Sequence, residues 1–85
     1  MRLTIYTKSG CHLCDVMKST VRRVLSTRTD EPATFLDEID ISGDPELVDR
    51  YGLEIPVLLI DGEKAAKYRV SEEALRRMLD GRSGS

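Results

Sequence analysis

Hydrophobic and polar positions change period several times along the chain, and each change marks an element. Leu3-Thr4-Ile5-Tyr6 alternates in strand-forming residues, which predicts a first strand broken at Lys8-Ser9-Gly10. From Cys11 onward apolar residues recur three and four apart, at Leu13, Val16, Met17, Thr20, Val21, Val24 and Leu25. Lys18, Arg22 and Arg23 fall on the other side, so the segment predicts an amphipathic helix of about four turns. The polar stretch Thr27 to Pro32 predicts a turn. Thr34 to Ile41 reads as a second strand with Phe35, Ile39 and Ile41 on one face. Asp44-Pro45 is a helix start, with Asp as cap and Pro at the first helical position; this short helix runs through Leu47 and Val48 and stops near Gly52. Val57 to Ile60 is an unbroken apolar run, expected of a strand buried on both faces. Asp61-Gly62 is a two-residue hairpin signal, so Glu63 to Tyr68 should return antiparallel. Ser71 caps a last helix with Glu72 and Glu73 at its positive end and Leu75, Met78 and Leu79 facing inward. Gly81 is expected to end it, leaving 82–85 as a disordered tail.

The order β-α-β-α-β-β-α predicts an α/β fold. Its first two strands should be parallel through a right-handed crossover, its last two a hairpin, in a four-stranded mixed sheet with flanking helices. The chain has 85 residues, room for one domain, which we place at residues 1–81. A 40% hydrophobic content supports a small core and excludes a wholly disordered chain. The longest apolar run, Ile55 to Ile60, is far too short to span a membrane. Met1–Tyr6 opens in strand-like alternation rather than as a charged and then apolar leader, so a cytoplasmic address is expected. The net charge of −2 is unevenly spread: residues 1–29 carry +5, residues 30–54 carry −8 and residues 55–85 carry +1. This is either a pair of solvated helix faces or a surface that steers a protein partner. Basic residues are not interleaved with aromatics, so no nucleic-acid partner is expected.

The two cysteines, Cys11 and Cys14, change the picture most. A secreted disulfide scaffold of this size carries several pairs at wider spacings. A tetrahedral zinc site needs two ligands beyond this pair; His12 lies inside the pair, and the other candidates are carboxylates, poor company for thiolates, so no metal is expected. C-x-x-C therefore points to thiol–disulfide chemistry. Cys11 falls at the predicted start of the first helix, where unpaired N–H groups and the positive end of the helix dipole favour a thiolate, and Lys8 adds positive charge nearby. Asp15 in the first turn opposes them, and His12 supports the thiolate only when protonated. Cys14 lies one turn inside and should be more buried. The asymmetry assigns Cys11 as attacking nucleophile and Cys14 as resolving thiol. Ile55-Pro56 precedes the buried strand, and X-Pro is the peptide unit with ready access to cis. A cis Pro56 facing the cysteines would leave the Ile55 N–H and C=O to pair with an extended substrate.

With Lys8-Ser9-Gly10-Cys11-His12-Leu13-Cys14 after one strand and Ile55-Pro56 before another, residues 2–80 resemble the thioredoxin superfamily. A single strand before the cysteine helix, and a Lys three residues before the first Cys, are closer to glutaredoxins than to thioredoxins. The resemblance implies a thioredoxin-like, glutaredoxin-type fold and dithiol reduction of protein or glutathione mixed disulfides. Glutathione is then a co-substrate, no cofactor is bound, and electrons come from glutathione or a flavoprotein reductase. It places Lys8, His12, Leu13, Ile55, Pro56 and Ser71 around the substrate. Two departures stand out. Glutaredoxins usually carry Pro and Tyr between the cysteines, where this chain has His12-Leu13. They also carry Gly-Gly and then Asp before the last helix, holding the glutamyl end of glutathione; here Tyr68-Arg69-Val70-Ser71 stands instead, Val70 crowds a close backbone approach, and only Ser71 offers the analogous N–H groups. The pattern is that of a divergent bacterial glutaredoxin-like family.

Two other functions are compatible with these residues. One is a thioredoxin-like binding module using the acidic segment 30–54 as its partner surface. The other is an iron–sulfur carrier bridging a cluster with glutathione, which the missing Gly-Gly pair disfavours. His12 reads as a modulator rather than a base, Tyr6 and Tyr51 as core or rim, and Met17 and Met78 as packing. Lys8 is a candidate contact for a substrate carboxylate. No apolar helix stripe is left over to force a dimer, so a monomer is expected.

Overall fold

The computed structural model describes residues 2–27 and 34–83. It contains β1 (Arg2–Thr7), α1 (His12–Ser26), β2 (Phe35–Asp40), a 3₁₀ turn (Ile41–Gly43), α2 (Pro45–Tyr51), β3 (Val57–Ile60), β4 (Glu63–Lys67) and α3 (Glu72–Ser83). The sheet order is β2-β1-β3-β4. β1 runs parallel to β2 and antiparallel to β3, and β3 is antiparallel to β4. The expected α/β architecture with its four-stranded mixed sheet is therefore the observed one.

The core is built on one face of the two central strands. The register sets Leu3 opposite Ile60 and Ile5 opposite Leu58, so these four side chains share a face. Met17, Val21 and Val24 of α1 and Leu75 and Leu79 of α3 cover them, all essentially inaccessible to solvent. The buried stripe of α1 is Cys14, Met17, Val21 and Val24, spaced three, four and three. Val16, expected in that stripe, is instead exposed, because a stripe centred on Cys14 and Met17 turns it outward. On the other face Val57 and Leu59 are also buried, which explains the unbroken apolar run of β3. Tyr6 and Tyr51 are half-buried there, stacked with ring centroids 4.9 Å apart. Met17 lies in the core and Met78 packs against it.

The turn chemistry matches its residues. Asp61 and Gly62 both take positive φ, 51° and 87°, as a hairpin turn that follows strand twist requires. The Asp44 carboxylate accepts from the Glu46 and Leu47 N–H groups and caps α2, with Pro45 at its first position. The Ser71 hydroxyl accepts from the Ala74 N–H and caps α3. Gly52, at the end of α2, is required by space rather than by φ: a Cβ there would sit 2.4 Å from the Val48 carbonyl oxygen.

Three expectations are corrected. β2 ends at Asp40, and its exposed apolar residues are Phe35 (60%) and Ile39, while Leu36 packs on the core. Glu38 shares the Leu36 side because Lys18 and Arg22 of α1 bind its carboxylate there. Ile41 is fully buried, but in the 3₁₀ turn, which the Asp40 side chain caps through the Ser42 N–H. Third, α3 continues through Gly81 to Ser83, so Arg82 and Ser83 are helical rather than tail; 84–85 lie outside the described residues, as does most of the turn expected over Thr27 to Pro32. No helix among the described residues is long and apolar enough to cross a membrane.

The packing separates two apolar strand positions, Phe35 and Leu58, that the sequence alone would treat alike. Leu58→Ala should cost about 2–5 kcal/mol in denaturant unfolding, whereas Phe35→Ala should cost less than about 1 kcal/mol. Equal losses would place Phe35 in the core and contradict the edge assignment.

Candidate active site

β1 delivers its C-terminal end to a tight turn at Lys8–Cys11. The Cys11 N–H donates to the Lys8 carbonyl at 3.3 Å, and Gly10 takes φ +77°, a conformation open to glycine at no steric cost. The same chain reversal makes Cys11 the cap of α1. Its backbone is extended (φ −89°, ψ 112°), and its Sγ accepts the Cys14 N–H at 3.1 Å, where an ordinary cap would use a hydroxyl or carboxylate. Cys11 is part-exposed and Cys14 is buried, and both are free thiols.

Cys14 differs from its partner electrostatically as well. Burial, then the hydrogen bond with the Cys11 side chain, pushes its thiol up from 9.0 to about 11; the Lys8 backbone and the Lys18 charge oppose this. In the reduced protein Cys14 thus holds its proton across the physiological range.

The neighbouring strand supplies the other half of the site. Tyr6 pairs with Val57, so Pro56 lies beside the Cys11 turn at the same end of the sheet. The Ile55–Pro56 peptide is cis, as the sequence suggested. Pro56 is buried and Ile55 half-buried. The Ile55 backbone lies outside every ladder, and among the described residues no hydrogen bond engages it. The Pro56 carbonyl is taken by the Tyr68 N–H at 2.8 Å, which brings the end of β4 to the same edge.

The other expected site residues divide by role. Lys8 and His12 are exposed beside Cys11, with His12 the first residue of α1, and Leu13 is half-buried. Ser71 is exposed, but its hydroxyl is committed to capping α3. His12 also lines a shallow cavity of about 390 Å³ along α1 with Asp15, Val16, Ser19, Thr20 and Arg23. Two contributors escaped sequence reasoning. Ser9 in the cysteine turn donates to Asp40 at 2.9 Å, tying the turn to the end of β2 and, with the two Ser42 donors, holding the Asp40 carboxyl below its usual range. Asp40-x-Ser42 is a readable local turn, but its reach to Ser9 depends on the parallel β1–β2 pairing. Tyr68, expected as the last residue of the returning strand, lies just past β4, which ends at Lys67, and its side chain carried no signal of its own.

The sequence profile of the Glutaredoxin-like domain (DUF836) matches residues 2–80. The chain belongs to this glutaredoxin-like family. Among solved structures, XcR50 from X. campestris is 30% identical, covers 93% of this chain and 96% of its own, and superposes with a TM-score of 0.70. Protein Ne2328 from Nitrosomonas europaea is 25% identical over 91% of this chain and 88% of its own, also at 0.70. E. coli glutaredoxin, 16% identical with full coverage of both chains and a TM-score of 0.60, shares the fold. No curated protein matches the chain. Family and fold together indicate a redox-related role.

The Cys14 shift makes stability depend on pH. A folded-state value above the unfolded one favours folding fully below pH 9, and that contribution is lost as pH rises towards 11. Two units at about 1.4 kcal/mol each give roughly 2–3 kcal/mol. Reduced wild type should therefore lose about that much more unfolding free energy between pH 8.5 and 11 than Cys14→Ser. Parallel curves for the two proteins would show that Cys14 is not held protonated by its surroundings.

Proposed function

We propose that this protein is a dithiol–disulfide oxidoreductase in which Cys11 attacks and Cys14 resolves. The observation that carries the reading is the pairing of a part-exposed cap sulfur, itself receiving the Cys14 N–H, with a buried, protonated thiol one helical turn away. The Cys11 thiolate displaces one sulfur of a substrate disulfide. A mixed disulfide forms, and the departing thiolate takes a proton from solvent. Cys14 then gives up its proton and attacks the Cys11 sulfur, releasing the second substrate thiol. The substrate gains two electrons, and the protein is left with a Cys11–Cys14 disulfide. A thiol reductant, either glutathione or the dithiol of a flavoprotein reductase, restores both cysteines.

The two steps use the same pair of residues differently. While Cys11 is free, its hydrogen bond and its charge both hold the proton on Cys14. Once Cys11 is bound in a mixed disulfide, both influences are gone. The opposing Lys18 charge and Lys8 backbone remain, so substrate capture itself eases deprotonation of the resolving thiol. Ile55, with its unengaged backbone beside this turn, is positioned to pair with an extended substrate segment. Lys8 and His12 flank the attacking sulfur, where Lys8 can meet a substrate carboxylate.

Substitution separates the roles. Cys11→Ser should lower disulfide-reductase turnover by at least 10³-fold, whereas Cys14→Ser should accumulate a mixed disulfide on Cys11, visible by intact-mass spectrometry. Full turnover by Cys11→Ser would defeat the assignment. Retention of an absorbing cluster after anaerobic reconstitution with iron, sulfide and glutathione would favour the iron–sulfur carrier instead.

A further inference from the structure

Tyr68 is a bulky residue in the left-handed region, at φ +67°, a conformation that L side chains adopt at a cost and that persists where surrounding contacts hold it. Two contacts hold it. Its N–H donates to the Pro56 carbonyl at 2.8 Å, and its hydroxyl donates to the Leu53 carbonyl at 3.1 Å. The segment it grips is pinned a third time, where Glu54 pairs with Lys64 at 2.7 Å and Lys67 at 3.6 Å. Residues 53–56 are thereby fastened to β4 and its exit, leaving the Ile55 backbone unengaged in the middle of the fastened stretch.

The fastening has an unusual by-product. Leu53 is 94% exposed, and Tyr68, whose hydroxyl reaches the Leu53 carbonyl, is 43% exposed. An isolated surface leucine needs no explanation, but here it is paired with an aromatic ring at the edge of the proposed site. β1, β3 and β4 are consecutive in the sheet, so Tyr68 lies about two strand spacings, roughly 10 Å, from the end of β1, where the Cys11 turn begins. That distance is about three residues of extended chain beyond a cysteine bonded to Cys11.

We infer that Leu53 and the Tyr68 ring form an apolar lip that selects an extended polypeptide disulfide with a large apolar side chain close to its cysteine. The inference rests on the oxidoreductase reading and names its substrate class. Substrate backbone pairs with Ile55 whatever its sequence, while the flanking side chain lies against Leu53 and Tyr68. A substrate with only glycine two and three residues from its cysteine makes the first contact and not the second.

The test uses two disulfide-linked peptide homodimers, one with leucine at the second and third positions on either side of its cysteine and one with glycine there, and dithiothreitol as reductant. In a homodimer both sulfurs are equivalent, so attack on either leaves the same peptide on Cys11. Wild type should show a kcat/KM about tenfold higher for the leucine peptide. Leu53→Ser should cut that ratio to about threefold or less without unfolding, since the side chain packs against little, and Tyr68→Ser should do the same. Phe35→Ser, an exposed apolar residue at the opposite end of the sheet, should leave the ratio near ten. Equal wild-type rates for the two peptides, or a ratio that Leu53→Ser does not change, would overturn the lip while leaving the oxidoreductase reading intact. Failure of wild type to reduce either peptide would overturn both.

Discussion

The antiparallel register of β1 and β3 places Leu3 against Ile60 and Ile5 against Leu58, four side chains on one face that α1 and α3 must cover. A slip of one residue would turn Leu58 and Ile60 off the face that holds Leu3 and Ile5 and that α1 and α3 cover, so core packing locks the register. The same lock fixes the site. Tyr6 opposite Val57 means that whatever follows β1 lies beside whatever precedes β3. Cys11 and Pro56 are 45 positions apart in the chain, and the β1–β3 register brings them to one end of the sheet.

Chemical asymmetry between the cysteines grows from this scaffold in two steps. The turn at Gly10 makes Cys11 the helix cap, and a cap is by construction half outside the helix, so its sulfur is reachable. The residue three positions on is one turn inside the helix and belongs to the buried stripe with Met17, Val21 and Val24. Spacing by three thus converts helical geometry into one exposed and one desolvated sulfur. The backbone N–H of the second residue reaches the first sulfur, and burial holds the proton on the second. Neither effect needs a dedicated acid or base.

Much of this was legible in the chain because the signals were local and redundant. Gly10, the Asp44-Pro45 start, the Asp61-Gly62 turn and the Ser71 cap each act through their own backbone and need no tertiary partner. The apolar run of β3 announced burial on both faces. What failed was legible only across elements. Phe35 and Ile39 alternate correctly for a buried face, but β2 is an edge strand, and the side facing α1 carries Glu38 with its partners Lys18 and Arg22. Alternation cannot tell which side is which when the inward polar residue is satisfied by another helix. Ser9 with Asp40, and Tyr68 with Leu53, are likewise invisible because each joins segments that only the sheet brings together. Gly52 gives the reverse lesson: it was read as a helix stop, correctly, yet its reason is clearance from the Val48 carbonyl and not a left-handed backbone.

The central claim is that Cys11 and Cys14 form one redox couple set in this scaffold. Equilibrating the purified protein in graded reduced and oxidised glutathione, quenching with a thiol-trapping reagent and weighing the products tests it most directly. The account predicts a single two-electron transition that converts two trapped thiols into one Cys11–Cys14 disulfide. No such disulfide at any buffer ratio, with both thiols trapped throughout, would contradict it.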